Sequence, residues 1–170
     1  TYDSYEGWLF SREVEQFGSD SPLPEHQTNQ FLTGQPFQGV FNENTFIYLG
    51  LGTPLPFFDG KYCFLKTAFY QLKGSALEAA PERAASTAIA EQLLGTPYLW
   101  GGRSSFGIDC SGLTQLVMRY SGIAIARDAN YQVDQGEPVS SLSKAHEGDL
   151  VFFRNSEGKI SHSGILTGIS

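Results

Sequence analysis

Asp109-Cys110-Ser111-Gly112 is the stretch on which the reading of this chain turns. It follows a glycine-rich lead-in, Tyr98-Leu99-Trp100-Gly101-Gly102-Arg103-Ser104-Ser105-Phe106-Gly107-Ile108, and precedes Leu113, Leu116, Val117 and Tyr120. Those apolar residues fall at i, i+3, i+4 and i+7, the spacing of one helix face. The pattern predicts a helix that starts at the cysteine. At a helix N-terminus the unpaired N–H groups and the positive end of the dipole favour a thiolate over a thiol. The thiolate is the attacking species in cysteine catalysis, so Cys110 is the candidate nucleophile. Asp109, one residue earlier, suits the N-cap of the same helix.

A cysteine nucleophile needs a base. His26 lies in Pro22-Leu23-Pro24-Glu25-His26 and His146 in Ser143-Lys144-Ala145-His146-Glu147-Gly148, both with the composition of surface turns. His162 opens an apolar run, Ser163 to Ile169, expected to be a strand. A second expected strand, Asp149 to Arg154, joins it through the turn residues Asn155 to Lys159. A helix carrying Cys packed on a sheet carrying His lets the two side chains meet, so His162 is the candidate base. Three scattered histidines and two cysteines give no zinc-type spacing, and no metal or cofactor is expected.

These residues resemble the NlpC/P60 family of bacterial cell-wall cysteine peptidases. The matching blocks are Tyr98-Leu99-Trp100-Gly101-Gly102, Asp109-Cys110-Ser111-Gly112, Arg127-Asp128, Gly148-Asp149-Leu150-Val151-Phe152-Phe153 and His162-Ser163-Gly164-Ile165. They stand in the family's order over about residues 83 to 170. The resemblance implies a papain-like core of helices packed on an antiparallel sheet, with Cys110 and His162 catalytic. It also implies that Tyr98 lies near the nucleophile and can donate to the oxyanion. Tyr98 and Trp100 can equally serve as core aromatics. Two departures stand out. The family usually has Val where Ser163 stands. Its third polar residue, a His, Asn or Gln that orients the histidine, falls about a dozen residues further on, beyond Ser170. With a first residue, Thr1, that is not Met, this reads as an incomplete copy of a longer protein.

The N-terminal half is of another kind. Short apolar runs at Trp8 to Phe10, Phe37 to Phe41, Phe46 to Leu49, Tyr62 to Leu65 and Ala68 to Leu72 alternate with Gly, Pro and Asp-Gly turns. Many short strands of this sort predict a small barrel or sandwich. Gly18 to Gln30 is polar and proline-containing and reads as a long loop or interdomain connection. Tyr5-Glu6-Gly7-Trp8-Leu9 resembles part of a bacterial SH3 domain. On that reading residues 1–75 hold an SH3-like β region, the first unit incomplete and the second spanning about 31–75. Residues 76–170 then hold the peptidase domain, C-terminally incomplete, and the fold class is α+β. A helix is expected from about Pro81-Glu82-Arg83 onward, with Ala85, Ala88, Ile89 and Leu93 on one face and Gly95 at its end.

In SH3-bearing family members that recycle wall peptides, a tyrosine matching Tyr5 helps close the substrate cleft. With the residues matching Asp109 and Ser111, it engages the free amino group of an N-terminal L-alanine. The physics is consistent: an ammonium in a cleft needs a carboxylate and hydroxyl acceptors. The expected substrate-binding set is therefore Asp109, Ser111, Tyr5, Trp100 and Asp128. N-acylation of the substrate should then leave the Asp109 carboxylate unpaired.

At 170 residues, 41% of them hydrophobic, the chain can bury a core, and no apolar run reaches membrane-spanning length. A net charge of −7 without a basic stripe argues against a nucleic-acid partner. Cys63, in Lys61-Tyr62-Cys63-Phe64-Leu65, reads as a small strand residue rather than Cys110's disulfide partner. The sequence leaves three functions standing. The first is a peptidase cutting the γ-D-glutamyl–L-diamino acid bond of murein peptides. The second is an amidase or acyltransferase on the same core. The third is a wall-binding protein with a dead peptidase domain. Compartment, cytoplasmic or envelope, and oligomeric state stay open.

Overall fold

The structure, a computed structural model, describes residues 6, 8, 10, 11, 31–65, 68–79 and 83–168. Tyr5 lies outside them, as does the stretch Gly18 to Gln30. Trp8 and Phe10 are exposed and belong to no strand.

Strands β1 (Phe31–Thr33), β2 (Phe37–Phe41), β3 (Phe46–Gly50), β4 (Tyr62–Leu65), β5 (Ala68–Lys73) and β6 (Ala76–Glu78) come first. Four of them form an antiparallel sheet in the order β3-β2-β5-β4, and β1 pairs with β6 in a separate antiparallel ribbon. The turns are made by side chains that mimic backbone acceptors. Asn42 Oδ1 takes the N–H groups of Asn44 and Thr45 between β2 and β3. Asp59 Oδ1 takes those of Lys61 and Tyr62 ahead of β4. Alternate residues of the sheet, Val40, Leu49, Cys63 and Tyr70, close over Leu55 as one apolar cluster. Cys63 is fully buried there as a free thiol.

The C-terminal half contains α1 (Arg83–Glu91), a small hairpin of β7 (Arg103–Ser104) and β8 (Gly107–Ile108), α2 (Cys110–Tyr120), the single-turn α3 (Ala129–Gln132), and the antiparallel pair β9 (Leu150–Arg154) and β10 (Ile160–Ile165). Helix α2 lies between α1 on one side and β10 on another. Helices with antiparallel sheets are the α+β class expected. α1 stops at Glu91 rather than running on to Gly95, because hydrogen-bonded turns through Leu93, Leu94 and Thr96 replace its last turn. β10 spans 160–165 instead of 162–169, since its length is set by the five residues of β9 it pairs with, plus a bulge between Ile160 and His162.

A second core joins the halves. Leu32 and Leu51 from the β region pack with Ile89 and Leu93 of the α1 region and with Leu116, Val117 and Tyr120 of α2. Polar contacts stitch the same seam. The Tyr120 hydroxyl donates to the Thr33 carbonyl, the Leu51 N–H donates to Ser105 Oγ at 2.9 Å, and Arg119 Nη1 donates to the Gly52 carbonyl at 3.3 Å. The helix that begins at Cys110 is thus braced along its far half by the β region. Among the described residues, no helix is long and apolar enough to cross a membrane.

Candidate active site

Cys110 is the first residue of α2, and Asp109 is its N-cap, in extended conformation. Asp109 Oδ1 accepts the Gly112 N–H at 2.7 Å, and Oδ2 accepts the Gly101 N–H, also at 2.7 Å. One carboxylate thus fixes both the start of the helix and the loop that leads to it. The loop can come this close because the motif's glycines meet there. A Cβ on Gly112 would stand 2.2 Å from the Gly102 carbonyl oxygen, and one on Gly102 would stand 2.5 Å from that of Gly107. Any side chain at either position would push the loop off the helix end.

The Asp109 carboxylate already has a partner within the protein. Arg127, 5% exposed, reaches it with Nη2 at 2.7 Å from Oδ2. Nη1 of the same guanidinium donates to Ser111 Oγ at 2.8 Å. Asp109 and Ser111 are both 7% exposed, which leaves little of either open to a ligand. Burial pushes the Asp109 carboxyl upward. The hydrogen bond from Arg127, then those from Gly112 and Gly101, outweigh it and hold the group below its usual range. The expectation that a missing substrate ammonium would leave Asp109 unpaired is therefore corrected: Arg127 pairs with it within the protein.

Tyr98 and Trp100 are 64% and 87% exposed, so neither is a core aromatic. Tyr98 makes an isolated bridge with Ile108, next to the cap residue. Its phenol is raised, first by partial desolvation and then by the acidic groups of Cys110 and Asp109. Asp128 is the residue before α3, and its side chain makes no capping bond. His162 is exposed on β10, the strand that packs against α2, with its ring 5.7 Å from that of Phe153 across the pair. The neighbouring Ser163 is 2% exposed, and its hydroxyl has no hydrogen-bond partner among the described residues.

Sequence reasoning missed the polar layer beneath the cysteine. Gln132, 2% exposed, donates through Nε2 to the carbonyls of Ser111 at 3.0 Å and Ala126 at 2.8 Å. Its Oε1 accepts the Thr114 hydroxyl at 2.7 Å. Arg127 stood in a motif block, but its partners lie 16 and 18 positions away and follow no sequence period. The arrangement offers a partly exposed thiol at a capped helix start, a tyrosine bridged to Ile108 two residues before that thiol, and a histidine on the adjoining strand. That is the equipment of acyl transfer through a thioester.

The NlpC/P60 family model matches residues 95–169. A γ-D-glutamyl-L-lysine dipeptidyl-peptidase of Bacillus subtilis (strain 168) is 31% identical over 176 residues, covering 96% of this chain and 57% of that protein. A probable endopeptidase p60 of Listeria innocua is 43% identical over 81 residues, covering 48% of this chain and 17% of that protein. The crystal structure of an NlpC/P60 family protein from Bacillus cereus ATCC 10987 superposes with a TM-score of 0.70 at 26% identity, over 83% of this chain and 53% of that one. The chain therefore spans less than two thirds of the length of these relatives.

Proposed function

We propose that this chain, whose residues 95–169 form an NlpC/P60 domain, is a cysteine endopeptidase. It cuts the γ-D-glutamyl–L-diamino acid bond of murein peptides, with preference for those whose L-alanine is free. The observation that carries the reading is Cys110 at the capped start of α2, with the His162 strand packed against that helix. The name of the Bacillus subtilis relative supports the bond type. In this reading Cys110 Sγ attacks the γ-carbonyl, and the oxyanion is held by the Cys110 N–H and the Tyr98 hydroxyl. The C–N bond breaks, and the leaving amine takes the proton that His162 first accepted. Water, deprotonated by His162, then releases the γ-glutamyl acid and frees the thiol.

The substrate ammonium would meet Asp109 and Ser111 at the cleft edge, with Tyr5, Trp100 and Asp128 as further contacts. Because Asp109 is already bonded to Arg127, the ammonium adds to an existing ion pair. Residues 31 to about 75 we read as a bacterial SH3-like unit that walls one end of this cleft, with the division from the peptidase part falling just before β6 (Ala76–Glu78). Their four-stranded antiparallel sheet supports that reading. The experiment is product analysis by mass spectrometry after incubation with L-Ala-γ-D-Glu-diamino acid tripeptides, using Cys110→Ser as control. Release of L-Ala-γ-D-Glu by the wild type alone is expected. Cleavage of a different amide, or acyl transfer to an added amine in place of hydrolysis, would favour the amidase or acyltransferase reading.

A further inference from the structure

We infer that Arg127 is a positioning residue that grips both sequence neighbours of Cys110 and so fixes where the thiol points. The inference rests on Cys110 being the nucleophile, as proposed above. The two arms of one guanidinium are used separately. Nη1 holds Ser111 Oγ at 2.8 Å and Nη2 holds Asp109 Oδ2 at 2.7 Å. A planar fork can span the two residues on either side of a third, and a Lys ammonium, being a point charge, cannot match it.

The grip is itself anchored. Gln132 Nε2 bonds the Ser111 carbonyl and the Ala126 carbonyl together. Ala126 immediately precedes Arg127, so a closed ring runs from Ser111 through Gln132 and Ala126 to Arg127 and back to Ser111. Arg127, Gln132, Asp109 and Ser111 are all at least nine-tenths buried, so the ring is shielded from water. Cys110 is left half-buried between two immobilised residues, with side-chain rotation as its main freedom. Charge balance for Asp109 would need only a cation. The second arm, on Ser111, has no place in a charge-balance role and is explained by positioning. A displacement of about 1 Å at a reacting group can cost on the order of a hundredfold in rate.

The test is Arg127→Lys in the full chain, which keeps the positive charge and loses the fork. It is expected to melt close to wild type, yet its Cys110 should react with iodoacetamide about ten- to a hundredfold more slowly. Its kcat on the murein tripeptide should fall by a similar factor, with KM within about twofold, as for an interaction that acts on the chemical step. If Arg127→Lys does not fold, the double variant Arg127→Met/Asp109→Asn removes both charges together while Asn keeps the helix cap. The same loss of alkylation rate is expected there. A folded variant of either kind that alkylates at the wild-type rate or faster overturns the inference and leaves Arg127 as a counter-ion. If the wild type cleaves no murein peptide while the alkylation loss stands, the substrate reading falls and the positioning role holds.

Discussion

Acetylation of the N-terminal alanine of the proposed substrate is the perturbation that best probes the proposed recognition of its ammonium. Had Asp109 no partner of its own, losing the ammonium would strand a buried charge, at about 3–5 kcal/mol. The structure lowers that figure. Without substrate, Asp109 still has the Arg127 ion pair at 2.7 Å and the N–H groups of Gly101 and Gly112, each at 2.7 Å. What is lost is one charge-assisted hydrogen bond, about 1.5–3 kcal/mol. That corresponds to roughly ten- to 150-fold in kcat/KM at 1.4 kcal/mol per decade. The assay compares initial rates on L-Ala-γ-D-Glu-diamino acid and its N-acetyl form, at substrate concentrations well below KM. Equal values would refute recognition of the ammonium. A ratio above about a thousandfold would refute the buffering by Arg127, since it exceeds what one such bond supplies.

Other expectations follow from the same geometry. Cys110→Ser should abolish turnover while melting close to wild type, and iodoacetamide should label Cys110 well before Cys63, which is fully buried and whose thiol burial pushes up. Ser163→Val should raise stability by about 1–3 kcal/mol in urea unfolding, because it removes a buried hydroxyl with no described partner; a loss of stability would mean the hydroxyl is bonded. The Asp109 carboxyl is held below its usual value of 3.8, so its contribution is present above that pH. Stability should fall as pH drops below about 4 and Asp109 is forced to protonate, and this acid-limb slope should be shallower in Asp109→Asn.

The sequence was most legible where structure is local. The apolar spacing after Cys110 and the Asp before it reported a capped helix, because capping and helix faces are decided within a few residues. The strands Phe37 to Phe41 and Tyr62 to Leu65 were visible for the same reason. β1, β6, β7 and β8, of two or three residues each, are too short to carry a period. Trp100 could not be placed from sequence, since an aromatic next to a glycine pair fits either side of a surface. Least legible was the bond between Asp109 and Arg127. A buried ion pair is a tertiary fact, and nothing in the spacing of the two residues says that one neutralises the other.

The seam beneath α2 bears on how such a protein can be divided. Leu32 lies in β1 and Leu51 just after β3, yet the cluster they complete is the one that supports Leu116, Val117 and Tyr120 on α2. Cutting the chain near residue 80 would uncover that cluster and strand the Tyr120 hydroxyl, whose acceptor is the Thr33 carbonyl. The two halves should therefore melt in a single cooperative transition, with no separable module that keeps its activity. Recombination that exchanged the β half for an unrelated binding module would have to supply a matching apolar face.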